Sequence, residues 1–260
     1  MVAFNLVSQK ISPRFIEFIQ FLFEVIHEFV ISYKHRKASY LVVVRQIFFT
    51  GVQALWIVSL IAFVIGSTIL LQGNSIISTF SQSKIFYTIL VSMVVKELGA
   101  LLTAIIVVAR SGTAISTELG NMVVNKEIDA LLSFGITPIS YLVVPRIIGV
   151  VISVSFLTVY FIFTALFGVW FLSLFFTPIN LSLFIQNIAL EIRFLDVILL
   201  VIKTIVFGII ISTISCFQGL SVTLATTEVP QRTIKTVVRS FSWIVVFNIL
   251  VTIVFYLLVE

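Results

Sequence analysis

The chain has 260 residues, of which 60% are hydrophobic and only 10% are charged, whereas about 25% of the residues in a soluble domain are charged. A soluble fold of this length could not hide so much apolar surface, so lipid must solvate part of it. The net charge of +5 could suggest binding to nucleic acid, but the positions of the charges indicate orientation in a membrane instead, and we expect no nucleic-acid partner.

The first predicted element is an amphipathic helix over residues 13–31, within an N-terminal segment that covers residues 1–46. Pro13 suits the first turn of this helix. Its polar residues recur every three or four positions and form one stripe, so we expect the helix to lie in the membrane interface. The alternative is a sixth, poorly inserted span, which would place three carboxylates at mid-membrane. The stripe consists of Glu17, Gln20, Glu24, His27 and Glu28.

Five later stretches are long enough to cross the membrane, which takes about 20 apolar residues. They predict an all-α integral membrane protein whose five-helix domain covers residues 47–260. Cys216 lies in the fourth stretch and is read as a small buried side chain rather than a reactive thiol. The stretches are 47–71, 85–109, 147–173, 197–218 and 237–259.

The distribution of Lys and Arg predicts which side of the membrane each connection occupies. The connections on the opposite side hold only Lys84 and Arg193. The N-terminus is therefore predicted to be cytoplasmic and, with five spans, the C-terminus external. The basic residues on the predicted cytoplasmic side are Lys10, Arg14, Lys34, Arg36, Lys37, Arg45, Arg110, Lys126, Arg146, Arg232, Lys235 and Arg239.

Lys96, Glu97 and Lys203 lie inside predicted spans, where a charge costs about 2.5–3.5 kcal/mol on insertion scales. Adjacent residues on a helix point about 100° apart, so Lys96 and Glu97 are not expected to share a face. We hypothesise that Glu97 pairs with Lys203 between spans two and four. The alternative is that both lysines extend to the interface and only Glu97 is buried. Asn248, in span five, is predicted to form a structural hydrogen bond to another helix.

The connection between spans two and three contains a predicted short amphipathic helix at about 120–134. Ile128, Leu131, Leu132 and Gly135 are predicted to share one apolar face, and Gly135 followed by Pro138 is predicted to end the helix. Such a helix, held parallel to the membrane, is a surface that a soluble partner could bind. A plain interfacial loop is an equally good interpretation of this periodicity.

An ordered series of motifs in this chain resembles the MlaE family, the permease subunits of MCE-associated ABC lipid transporters. The resemblance covers roughly residues 40–255. The motifs are Leu71-Gln72-Gly73, Lys96-Glu97-Leu98-Gly99, Ala109-Arg110-Ser111-Gly112-Thr113-Ala114, Glu118-Leu119-Gly120-Asn121-Met122, Glu127-Ile128-Asp129-Ala130-Leu131, Tyr141-Leu142-Val143-Val144-Pro145-Arg146 and Arg232-Thr233-Ile234-Lys235-Thr236-Val237-Val238.

The resemblance implies a homodimer with ABC ATPase subunits on the cytoplasmic face and MCE-domain subunits on the outer face, enclosing a cavity for phospholipid. The expected function is the transmembrane permease subunit of an ATP-driven phospholipid transporter. No Gly-x-x-x-x-Gly-Lys-Ser/Thr phosphate loop is present in the sequence. We therefore expect no cofactor in this chain, with ATP bound by the partner ATPase, and we expect no metal site and no enzymatic activity.

The same resemblance suggests functional residues. Leu71, Ile77, Phe80, Glu97 and Leu98 are expected to line the lipid cavity, although ordinary helix packing is as good an interpretation of the apolar ones. The expected contacts to the ATPase are Glu118, Lys126, Glu127 and Asp129.

Other functions remain open at this stage. A membrane scaffold or assembly subunit would share the hydrophobicity and the topology, but it would need neither paired charges within the spans nor a structured cytoplasmic helix. A channel is disfavoured because no span carries a repeating polar face, and an enzyme because the common hydrolase motifs are missing. The expected location is the bacterial inner membrane, with a plastid inner envelope as the other possibility, since the family occurs in both.

Overall fold

We describe the fold from a computed structural model, in which residues 13–31, 36–76, 84–176, 179–223 and 225–259 are described. These residues form helices and no strand, and five of the helical stretches are long and apolar enough to span a membrane. The five predicted spans are therefore confirmed: the first four lie within longer helical stretches, and the fifth, 237–259, overlaps its stretch and extends beyond the end of it. These stretches are Tyr40–Gly73, Lys84–Val124, Ile139–Phe176, Phe194–Leu220 and Glu228–Phe255.

Several spans consist of more than one helix. A 3₁₀ turn at Val52–Ala54 interrupts span one, and π-helical segments at Val91–Leu98 and Val108–Gly112 interrupt span two. A further π-helical segment, Ile139–Val143, opens span three. The α-helices in chain order are α1 Pro13–Ile31, α2 Arg36–Thr50, α3 Leu55–Ile76, α4 Lys84–Leu90, α5 Gly99–Val107, α6 Thr113–Val124, α7 Glu127–Ser133, α8 Val144–Phe176, α9 Leu181–Glu191, α10 Phe194–Leu220 and α11 Glu228–Val259.

Helix α8 is the centre of the bundle and packs against α2, α3, α5 and α10. Phe161 of α8 and Phe207 of α10 are completely buried in the core. Many large apolar side chains on the outside of the bundle are exposed, among them Trp56, Phe156 and Phe163. This distribution is the one expected of a protein whose surface is solvated by lipid rather than by water.

Helix α1 has the predicted bounds and three distinct faces. Phe18 and Phe21 pack against Phe217, near the end of α10, with ring centroids 5.2 and 5.5 Å apart, and Val25 is buried on the same face. The predicted polar stripe forms a second face, and exposed apolar residues such as Phe23 and Ile26 form the third. A helix with one face on protein, one apolar and one polar suits the predicted position in the membrane interface.

The predicted helix at 120–134 is divided in the structure. Helix α6 ends at Val124, Lys126 adopts a left-handed conformation (φ 60°), and α7 begins at Glu127. Gly135 (φ 74°) ends α7 as predicted: the N–H groups of Gly135 and Ile136 donate to the carbonyl oxygens of Leu132 and Leu131, the pairing of a Schellman motif.

The apolar face of α7 is narrower than predicted. Ile128 and Leu131 pack against the core, but Leu132 is 54% exposed. The helix has only seven residues, or about two turns, so only one pair of its apolar side chains packs against the core. Leu132 lies outside that pair.

The connection that carries α7 and the connection after α10 lie on the same side of the bundle. This follows because α6 packs against both α10 and α11 near Gly120, Val222 and Val229. We call this side, which carries α7 and the connection after α10, the basic side. The side that carries α9 is called the opposite side.

A close helix crossing joins spans one and three at Gly66 and Ala165. A Cβ atom added to Gly66 would lie 2.1 Å from the carbonyl oxygen of Ala165, so only glycine fits.

We expect Gly66→Ala to lower the free energy of unfolding by about 1–3 kcal/mol, as overpacking does. The measurement is the thermal midpoint of the detergent-solubilised protein. Gly112→Ala is the matched control, because its nearest neighbour is the movable hydroxyl of Ser215 at 3.1 Å. Equal midpoints for the two variants would contradict this account.

Candidate functional site

A charged pair joins spans two and four inside the bundle. The Nζ atom of Lys203 on α10 lies 2.9 Å from both carboxylate oxygens of Glu97, which belongs to the π-helical segment of span two. The pair hypothesised from the charges in the spans is therefore present. It is not the arrangement of the alternative, in which Lys203 extends to the interface, because Lys203 is completely buried.

Span five completes the site with two polar side chains. Asn248 Nδ2 donates to Glu97 Oε2 at 3.0 Å, and Thr252 Oγ1 donates to Glu97 Oε1 at 2.9 Å. Asn248 thus makes the predicted hydrogen bond to another helix. We call Glu97, Lys203, Asn248 and Thr252 the polar cluster.

The ammonium group of Lys203 has more acceptors than hydrogens. Besides Glu97, it donates to Thr252 Oγ1 at 3.0 Å and to the carbonyl oxygen of Lys96 at 3.2 Å. A buried charge is tolerated when a counter-charge and further hydrogen bonds replace its hydration. The cluster supplies both to Lys203, and it links spans two, four and five through one cation.

Thr252 was not predicted from the sequence. A threonine within an apolar helix usually donates to its own backbone, as Thr158 and Thr164 do here. The available signal was its spacing: residues four apart lie on the same helix face, and Thr252 is four residues after Asn248.

A second ion pair joins the same two spans nearer the opposite side. Lys96 Nζ lies 2.9 Å from Asp196 Oδ1, and Asp196 is almost completely buried at the start of α10. The other carboxylate oxygen of Asp196 accepts a hydrogen bond from the backbone N–H of Arg193. Lys96 and Glu97 thus both reach α10, although adjacent residues on a helix point about 100° apart. Their partners there, Asp196 and Lys203, are seven residues apart.

The residues expected to line a lipid cavity are only partly described. Leu71 is 42% exposed and Leu98 is half-buried, on spans one and two. The side chain of Glu97 is 33% exposed, in contrast to its buried partner. Ile77 and Phe80 lie outside the described residues. The cavity role of all five residues stays a prediction.

The residues expected to contact an ATPase lie together on the basic side. Lys126, Glu127 and Asp129 are exposed in and before α7. The side chain of Glu118 on α6 is 60% exposed and forms a 2.9 Å ion pair with Arg146, which is buried at the start of α8. This pair joins span two to span three on the basic side of the bundle.

Next to these charges is an apolar patch that sequence reasoning missed. Phe134 is 81% exposed, and Leu132 and Ile136 are 54% and 40% exposed. The signal was present in the sequence, since Phe134 immediately precedes the glycine that ends α7.

In the described part of the chain, no three His, Cys, Asp or Glu side chains come together as a metal site would require.

Comparison with known proteins supports the motif resemblance. A family model described as Permease MlaE matches residues 43–254. The chain belongs to the MlaE permease family. It is therefore a membrane permease subunit of the ABC transporter type, as the order of its motifs predicted.

Individual relatives agree with this membership. A probable ABC transporter permease protein of Rickettsia prowazekii is 31% identical over 214 residues, which cover 82% of this chain and 83% of the relative. The intermembrane phospholipid transport system permease protein MlaE of Haemophilus influenzae is 25% identical over 198 residues, or 76% of each chain. The chloroplastic protein TRIGALACTOSYLDIACYLGLYCEROL 1 of Arabidopsis thaliana is 34% identical over 145 residues, which cover 56% of this chain and 41% of the relative.

The polar cluster predicts an asymmetry between two substitutions. Glu97→Gln leaves the buried ammonium of Lys203 without its counter-charge and should cost about 3–5 kcal/mol. Lys203→Met should cost less, because the carboxylate of Glu97 is a third exposed and keeps its bonds from Asn248 and Thr252. Thermal midpoints in detergent measure both, with Glu24→Gln and Lys126→Met as controls at exposed positions.

Exchanging the two charges tests the pair itself. The double variant Glu97→Lys, Lys203→Glu should recover a large part of the stability lost in Glu97→Gln. A double variant as unstable as Glu97→Gln, or a Lys203→Met variant less stable than Glu97→Gln, would contradict the pairing as described.

Proposed function

We propose that this chain is the permease subunit of an ATP-driven phospholipid transporter, in which it forms the lipid cavity as a homodimer and couples that cavity to a separate ATPase. The observation that carries the proposal is the polar cluster, in a chain that belongs to the MlaE permease family. An aqueous channel would need a continuous polar face, and a scaffold would not need a buried charge network that joins three spans.

The partly exposed carboxylate of Glu97 supports a role next to the cavity. Lys203 is enclosed by protein, whereas Glu97 has one side open to its surroundings. A network that holds three spans through one carboxylate can change its arrangement when the spans move. A transport cycle requires such an element, because nucleotide can drive transport only by favouring one conformation over another.

The coupling surface is proposed to be α7 with its flanking turns. Exposed charges at Lys126, Glu127 and Asp129 lie in and before α7, and the exposed ring of Phe134 follows the helix. A protein interface likewise combines an apolar centre with a polar rim. Motion of an ATPase bound there would reach span two through α6 and span three through the Glu118–Arg146 pair.

The remaining partners follow from the family. MCE-domain subunits are proposed to bind on the opposite side. The membrane is proposed to be the bacterial inner membrane or, given the Arabidopsis relative, a plastid inner envelope. The N-terminus is proposed to be cytoplasmic. ATP is proposed to bind only to the partner ATPase.

The direct test reconstitutes the chain with its ATPase in proteoliposomes and measures ATP-dependent transfer of a fluorescent phospholipid to an acceptor. We expect transfer with the native chain, a loss of at least tenfold with Lys203→Met, and recovery in the charge-exchanged double variant. The matched control is Glu24→Gln, an exposed charge on the polar stripe of α1, which should leave transfer unchanged. Transfer that is independent of ATP would overturn the ATP-driven mechanism, and no transfer at all with an intact complex would overturn the proposal in favour of a scaffold.

The coupling surface has its own test. Phe134→Ala should weaken ATPase association at least tenfold, because exposed aromatic anchors at interfaces contribute about 2 kcal/mol or more. Phe163→Ala, which removes a similarly exposed ring from the lipid-facing side of α8, is the matched control. Association measured by pull-down in detergent should fall only for Phe134→Ala, and equal association for both variants would refute this assignment.

A further inference from the structure

A cavity on the opposite side has no role in the function proposed so far. Its volume is about 510 Å³, within the range of about 300–1,000 Å³ typical of small-molecule sites. It is lined by Lys84, Tyr87, Asn187, Leu190 and Glu191. It lies between the first turn of span two and the short helix α9, where the chain enters the membrane on this side.

The local sequence places these side chains on two facing surfaces. Lys84 and Tyr87 are three residues apart on α4, and Asn187, Leu190 and Glu191 have the spacing of one face of α9. Asn180 begins α9 by accepting a hydrogen bond from the backbone N–H of Ser182. The ring of Tyr87 packs at 6.0 Å against Phe184 of α9, and this contact holds the two helices together.

The charges in this cavity are not used by the fold. Lys84 and Glu191 form no ion pair with each other, and neither side chain is hydrogen-bonded to another residue in the part of the chain that the structure describes. The cavity therefore presents one cation, one anion, an amide and a phenol. Leu190 of the cavity lining is exposed, and so is Leu183, which lies four residues before Asn187 on the same face of α9.

We propose that this cavity binds the headgroup of a zwitterionic phospholipid with a primary ammonium group, such as phosphatidylethanolamine. Lys84 binds the phosphate, Glu191 accepts hydrogen bonds from the ammonium group, and Asn187 and Tyr87 bind the remaining oxygens. The carbonyl end of α9 adds a negative potential that favours the ammonium near Glu191. The apolar surface of α9 accommodates the first part of the acyl chains.

An anionic headgroup such as phosphatidylglycerol fits less well. It can pair with Lys84, but it leaves the carboxylate of Glu191 facing a ligand that carries no positive charge. The headgroup site rests on the proposed function and adds to it the preferred lipid class and the place where the lipid enters or leaves.

The test measures lipid binding to the purified full chain in nanodiscs by native mass spectrometry. Phosphatidylethanolamine and phosphatidylglycerol with identical acyl chains are compared, without ATPase. We expect the native chain to prefer phosphatidylethanolamine about threefold, as partly exposed charge contacts allow, and Glu191→Gln to abolish the preference. Lys84→Met should weaken the binding of both lipids, and Glu24→Gln, on the polar stripe of α1, should change neither.

The outcomes distinguish this inference from the proposed function. A native chain without preference, or a preference that persists in Glu191→Gln, overturns the headgroup site whether or not the complex transports lipid. A preference lost in Glu191→Gln supports the site even if ATP-driven transfer is absent. Soluble glycerophosphoethanolamine at the same concentration should not displace the lipid. Displacement would assign the cavity to a soluble phosphodiester and overturn the lipid assignment.

Discussion

The burial of one ammonium group constrains the centre of this molecule. Lys203 is completely enclosed, and a charge in such a place is stable only if protein groups replace its lost hydration. Glu97 supplies the counter-charge, and Thr252 and the carbonyl of Lys96 supply further acceptors. Because these groups belong to spans two and five, satisfying one cation fixes three helices relative to each other.

The second ion pair reinforces this arrangement at another depth. Lys96 and Asp196 join spans two and four near the opposite side, and Glu97 and Lys203 join them deeper in the bundle. On the basic side, Glu118 and Arg146 join spans two and three. Span two thus carries three ion pairs along its length and, through α6, connects α7 to the centre of the bundle.

Much of this arrangement could be predicted because the membrane limits the choices. Few charges occur inside apolar spans, so Glu97 and Lys203 had few other partners, and Asn248 was the conspicuous polar residue of span five. Asp196 was missed because it lies at the edge of a span, where a charge needs no explanation. Thr252 was missed because a lone hydroxyl in a helix usually bonds to its own backbone.

Other features depend on tertiary structure and leave no simple pattern. The π-helical segments of span two have no residue signature comparable to proline or glycine. The left-handed turn at Lys126 divides a stretch whose periodicity continues on both sides. The exposure of Leu132 and Phe134 depends on how far α7 extends over the bundle, which local periodicity does not specify.

We propose that this permease is driven by a separate ATPase and carries phospholipid. Purification of the chain from its native membrane in mild detergent, followed by quantitative mass spectrometry of copurifying proteins and lipids, tests it most directly. We expect an ABC ATPase and an MCE-domain protein in constant ratio to the chain, with bound phospholipid. A chain that copurifies with lipid but with no ATPase would contradict it.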